Sequence, residues 1–83
     1  MEKFDSLRLG DKVTVTILGP DNQVLYQSTN FDYHSIESAI ESALNKAALK
    51  VNPKDCVFEV TNHDTDVSHK YRINAHGNLK LII

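Results

Sequence analysis

A single cysteine, three glycines, two prolines and no long apolar run leave this 83-residue chain short of the materials that most dedicated chemistry uses. Because Cys56 stands alone, no disulfide can close within the chain and no tetrathiolate zinc site can be built from one copy. A reducing, cytoplasmic setting is expected. With so few glycines there is no phosphate-cradling loop, and neither a nucleophile elbow nor an HExxH run occurs. Nothing approaches the roughly 20 apolar residues of a membrane span. The opening Met1-Glu2-Lys3-Phe4-Asp5 carries charge where a secretion signal is apolar. Charge of one sign is also scarce: the net charge of −2 and pI near 6.0 provide no global field for a polyanion, which disfavours general nucleic-acid affinity. Repeats, linkers and biased tracts are missing too. On this reading the chain is no enzyme and takes no cofactor.

What is present describes one small domain. Two cores would each be too small at this length, and a single one is expected to bury roughly 60–65% of the unfolded surface. Phe4, Leu7 and Leu9 in the polar lead-in are placed to cover one sheet edge. Residues 12–18 (KVTVTIL) alternate with period two, turning Val13, Val15 and Ile17 to one side. Gly19-Pro20-Asp21-Asn22 supplies a turn, with proline setting φ at its first corner and Asn22 tolerating the left-handed region. Folding residue 17 against 24 sets Val15 opposite Tyr26 and Thr16 opposite Leu25, which predicts a hairpin.

From Ile36 the period becomes helical. Ile36, Ala39, Ile40, Ala43, Leu44, Ala47 and Val51 recur at spacings of three and four, one apolar stripe over 36–51. Asp32, His34 or Ser35 caps its start, acidic Glu37 and Glu41 lie toward the positive end of its dipole, and Lys46 and Lys50 toward the negative end. Asn52-Pro53 is expected to stop it. Residues 55–62 and 67–74 then pair as strands across the loop His63-Asp64-Thr65-Asp66. This pairing sets Thr61 against Ser68, Glu59 against Lys70, Val60 against His69, Phe58 against Tyr71 and Cys56 against Ile73. A last turn at Ala75-His76-Gly77 sets Ile73 against Leu79, Tyr71 against Leu81 and His69 against Ile83.

The expectation is therefore an α+β domain in two layers, β-β-α-β-β-β, with one helix packed on a mainly antiparallel five-stranded sheet. An order of 2-1-5-4-3 makes every neighbouring pair antiparallel and leaves the second and third strands as edges. The alternative is a β-grasp-like shape, with the first strand beside the fifth in parallel. Either is a likeness of shape alone and says nothing about function.

Several constellations invite chemistry. His63 and His69, with Asp64 and Asp66 between them, have residue types that bind zinc and related ions. His63 and His76 sit at opposite ends of one strand, roughly 25 Å apart, and cannot share an ion. Asn62-x-Asp64-x-Asp66 imitates the start of a calcium loop, but Val67 stands where glycine is required and Ile73 where glutamate is. Cys56 would need an exposed, electropositive setting to act as a nucleophile, and its register points it into the core.

The sheet face away from the helix carries more information. The pairings place Thr14, Thr16, Leu25, Gln27, Val57, Glu59, Thr61, Lys70, Arg72, Lys80 and Ile82 on it. Arg72 falls directly opposite Lys80 with Lys70 two residues along, so like charges gather where they ordinarily repel. Lys70, Arg72, Lys80, Val57 and Ile82 are the candidate binding residues. A protein partner or a second copy suits this mixed face. Nucleic acid, the alternative through Lys70, Arg72 and Lys80, ranks below it because no aromatic side chain projects there. A metal site near His63 and His69 ranks lower again.

Overall fold

A computed structural model describes residues 7, 8 and 10–82. Its elements are β1 (Val13–Leu18), β2 (Val24–Asn30), α1 (Ile36–Ala47), a 3-10 turn at Pro53–Asp55, β3 (Val57–Asn62), β4 (Val67–Ile73) and β5 (Leu79–Leu81). The predicted roles of Phe4, Leu9 and Ile83 fall outside the described residues. Leu7 is half-buried and packs against the core.

All five strands join one antiparallel sheet in the order β2-β1-β3-β4-β5. The class and the strand directions agree with the sequence, whereas the order 2-1-5-4-3 and the parallel β1–β5 alternative are both corrected. Both β3 and β5 run antiparallel to β1, so direction alone does not choose between them. Length does. All six residues of β1 find partners in β3, including Val15 with Val60 and Ile17 with Phe58. A β5 of three residues would leave half of β1 without ladder hydrogen bonds, each costly inside a sheet. The crossover through α1 is also shorter. It spans two strand spacings, about 10 Å, instead of four, about 19 Å. The edges are therefore β2 and β5, and β3 is interior.

The core lies between α1 and one face of the sheet. Val13, Val15, Ile17, Phe58, Val60 and Tyr71 meet Ile36, Ala39, Ile40 and Ala43. Burying each large aliphatic side chain here contributes about 1.5–3 kcal/mol, and the alanines let the helix backbone sit close to the strands. α1 packs on β1, β2 and β3. Ser35 caps it, its hydroxyl accepting from Ser38 N at 3.0 Å, with Glu37 in the first turn and Lys46 in the last.

The helix ends at Ala47 rather than continuing to Val51. Ala48 takes the left-handed conformation (φ 51°, ψ 52°), which turns the chain so that Leu49 packs on the core while Val51 remains exposed. Twelve helical residues already cover about 18 Å, close to the roughly 20 Å span of a six-residue strand. A further turn would carry the stripe past the sheet.

The first hairpin turns where expected. Gly19 N donates to Gln23 O at 2.8 Å, Asn22 N donates to Gly19 O at 2.9 Å, and Asn22 has φ 63°. Its register differs from the expected pairs of 17 with 24, Val15 with Tyr26 and Thr16 with Leu25: the turn closes Leu18 against Val24, and a bulge between Ile17 and Leu18 then sets Ile17 against Tyr26, Thr16 against Gln27 and Val15 against Ser28. Leu25 is the extra residue. It packs half-buried against the core instead of joining the helix-free face as predicted. A Cβ at Gly19 would lie 3.1 Å from Leu25 Cδ1, so a larger residue there would push the Leu25 side chain aside by a few tenths of an ångström. The β3–β4 and β4–β5 registers are as read from sequence, except that Cys56 precedes β3 and so makes no strand pair with Ile73.

Candidate functional site

The three strands β3, β4 and β5 build the candidate site by alternation alone. Tyr71 and Phe58 turn to the helix, so their neighbours Arg72, Lys70, Val57 and Glu59 turn away. Arg72 lies directly opposite Lys80, and Lys70 opposite Glu59. Ile82 N donates to Lys70 O at 2.9 Å, which brings Ile82 beside Lys70 at the end of β5. Lys70, Arg72, Lys80, Val57 and Ile82 therefore share one face, as the sequence pairing requires.

Across the whole sheet this face divides into three rows. One end is apolar, then basic: Val24 beside Leu18, Leu18 beside Val57, then Arg72 opposite Lys80. The middle row runs Gln27, Thr16, Glu59 and Lys70. The far row is hydroxylic, Thr29, Thr14, Thr61 and Ser68. There Thr14 Oγ1 lies 2.7 Å from Thr29 Oγ1 and Thr61 Oγ1 lies 3.0 Å from Ser68 Oγ. Gln27 Nε2 donates to Thr16 Oγ1 at 2.9 Å, which helps to bury Thr16 on a face with no helix over it. Ser68 Oγ donates to Glu59 Oε2 at 3.5 Å, drawing the carboxylate toward the hydroxyl row and away from Arg72 and Lys80.

Sequence pairing missed Leu18 and Val24, which complete the apolar end. The bulge is responsible. Without it Val24 would stay on Tyr26's side of the strand, toward the core; with it Val24 pairs with Leu18 on the helix-free side and is 60% exposed. No feature of Val24 itself signals this. The clue is Gly19, the small residue against which Leu25 packs.

The histidines separate. His63 Nε2 lies 2.8 Å from Thr14 Oγ1, on the helix-free side, whereas His69 pairs with Val60 and its ring packs edge-on to Tyr71 on the helix side. Asp64 Oδ2 accepts from Lys12 N at 3.1 Å and Asp66 holds the turn with φ 59°. Among the described residues, no three His, Cys, Asp or Glu side chains are grouped to hold a metal. The side-chain oxygens of Asn62 and Asp64 bond the chain itself: besides the Asp64 bond to Lys12 N, Asn62 Oδ1 accepts from Asp64 N at 2.9 Å and Thr65 N at 3.3 Å. Asn62 Nδ2 donates to Asp11 Oδ2 at 2.8 Å. This knot, which clamps the lead-in to the β3–β4 loop, was not foreseen from the sequence.

Cys56 is fully buried at the end of the 3-10 turn, its thiol directed at Asn52 O at 3.8 Å. Burial, reinforced by the charge of Asp55 and opposed by that of Arg72, raises its pKa. A thiol buried in this way packs as a small apolar group. An open groove of about 290 Å³ runs between α1 and the β4–β5 hairpin, lined by Ile40, Leu44, Ile73 and Leu79 together with Glu37 and Glu41.

Comparison with known protein families, curated proteins and solved structures finds no match to this chain. No helix among the described residues is long and apolar enough to cross a membrane.

Proposed function

We propose that this chain is a noncatalytic interaction module that binds an acidic protein surface through the helix-free face of its sheet. The observation that carries the reading is the row in which exposed Val24 and half-buried Leu18 and Val57 lead directly to the adjacent cations Arg72 and Lys80. Apolar area beside unopposed positive charge suits a partner that covers the first and neutralises the second. The open groove lies between α1 and the β4–β5 hairpin rather than on this face, and the sole thiol is buried. That free thiol also favours a reducing, cytoplasmic setting.

The row that holds Arg72 and Lys80 carries no aromatic side chain to stack bases, the imidazole of His63 lying in the far row beside Thr14, which favours protein over nucleic acid. The test is affinity capture with the wild type and with Arg72→Glu/Lys80→Glu, followed by amide-shift mapping of the complex. An acidic partner held by the wild type, released by salt and lost by the double variant is the expected result. Shifts confined to residues off this face, or equal retention by both chains, would overturn it. Titration with short RNA and DNA at low salt is the control, and shifts at Lys70, Arg72 and Lys80 there would reassign the face to nucleic acid.

A further inference from the structure

The two sheet edges are built differently. β5 is three residues long and carries Lys80 at its centre. β2 has seven residues, and from Asn22 to Phe31 there is no charged side chain and no proline. Edge strands that remain single are commonly blunted by lysine, proline or a bulge, because their outward amides and carbonyls otherwise recruit another strand. Here the bulge sits at Leu25, near the turn, and leaves Tyr26–Asn30 in unbroken register with β1. Among the described residues nothing pairs with the outer side of β2. Its two ends are marked by exposed apolar side chains, Val24 at 60% and Phe31 at 59%.

We infer that β2 is a self-association edge and that its occupant is the β2 strand of a second copy, paired antiparallel about a two-fold axis to make one ten-stranded sheet. An antiparallel edge is self-complementary under such an axis, since each outward amide meets its symmetry-related carbonyl. The absence of charge matters most here: any lysine or glutamate near the strand centre would meet its own copy. β5 fails that condition, because Lys80 would face a second Lys80. Pairing β2 with β5 of another copy would give an open-ended ribbon rather than a closed dimer. The two-fold axis keeps both helices on one side and sets the two Arg72–Lys80 clusters at the far ends, so the charged part of the partner surface lies away from the dimer seam and only Val24, on β2, belongs to both.

Sedimentation velocity from low micromolar to near-millimolar chain, with amide hydrogen exchange at both limits, tests this. The expected result is a monomer–dimer equilibrium in which alternate amides of Tyr26–Asn30 exchange more slowly as concentration rises. Gln27→Lys, at the centre of β2, is expected to abolish the concentration dependence; Thr29→Lys is a second variant should the first disturb the Gln27–Thr16 hydrogen bond. Arg72→Glu/Lys80→Glu is expected to leave the dimer intact, so this inference and the proposed function fail separately. A monomer at every concentration, an open-ended polymer, or protection that does not depend on concentration or falls on β5 would overturn the inference.

Discussion

Asn62 and Asp11, 51 positions apart, are joined by a 2.8 Å hydrogen bond from Nδ2 to Oδ2. That bond is the largest cause of Asp11's lowered pKa, assisted by Arg8, whose backbone N also donates to Asp11 Oδ2 at 3.1 Å, and opposed by partial desolvation. The sign follows directly. A carboxylate whose folded pKa lies below its unfolded value stabilises the fold at neutral pH, and that contribution is lost as pH falls through the folded pKa. Stability is therefore expected to decline on acidification below the usual aspartate range, and Asp11→Asn should flatten the decline. Urea unfolding at a series of pH values measures both. Asn62→Ala also strands the amides of Asp64 and Thr65 and is expected to cost about 1–3 kcal/mol.

Ala48 offers a change in the opposite direction. It closes α1 in the left-handed region at φ 51°, where a Cβ is unfavourable and glycine is the usual residue. Ala48→Gly is expected to stabilise the domain by about 1 kcal/mol, a rise in melting temperature of roughly 4–8 °C for a chain of this size. An unchanged or lower melting temperature would show that Ala48 is not held in that conformation in solution.

How much of this was legible in the sequence depended on how many neighbours constrained each segment. The β3–β4 and β4–β5 registers could be read because several pairs agreed on both faces at once: Phe58 with Tyr71, Glu59 with Lys70, Ile73 with Leu79. The binding candidates on those strands therefore came together as expected. The first hairpin was only half legible. Its turn residues announce a turn, but nothing in them counts the extra Leu25, and Val24 changed faces as a result. Strand order was silent because β3 and β5 satisfy the same direction rule. The helix stripe ran on to Val51 although the sheet beneath it had already ended.

Cys56 provides a readout of the core. Its thiol is buried and its pKa raised by that burial, so at neutral pH a thiol reagent should label it only as fast as the domain opens. Labelling rates are expected to follow stability across variants, faster in Phe58→Ala, which removes a fully buried ring at about 3–5 kcal/mol. Labelling of the wild type at the rate of a free thiol would place Cys56 at the surface and contradict the packing of the 3-10 turn against β4.

Lys80 allows stability and binding to be separated. It faces Arg72 across β4 and β5, and like charges directly opposite on a sheet are destabilising. Lys80→Glu replaces that repulsion with an opposite-charge pair and is expected to stabilise the isolated domain by about 0.2–1 kcal/mol, an effect that shrinks with added salt. If the face binds an acidic partner, the same substitution must weaken the complex, because it removes one cation and neutralises a second. A solvated face with no partner predicts only the first effect. Measuring unfolding and partner affinity on this one variant therefore distinguishes a retained binding surface from an incidental cluster of charge. A gain in stability with no loss of affinity would count against the proposed interface.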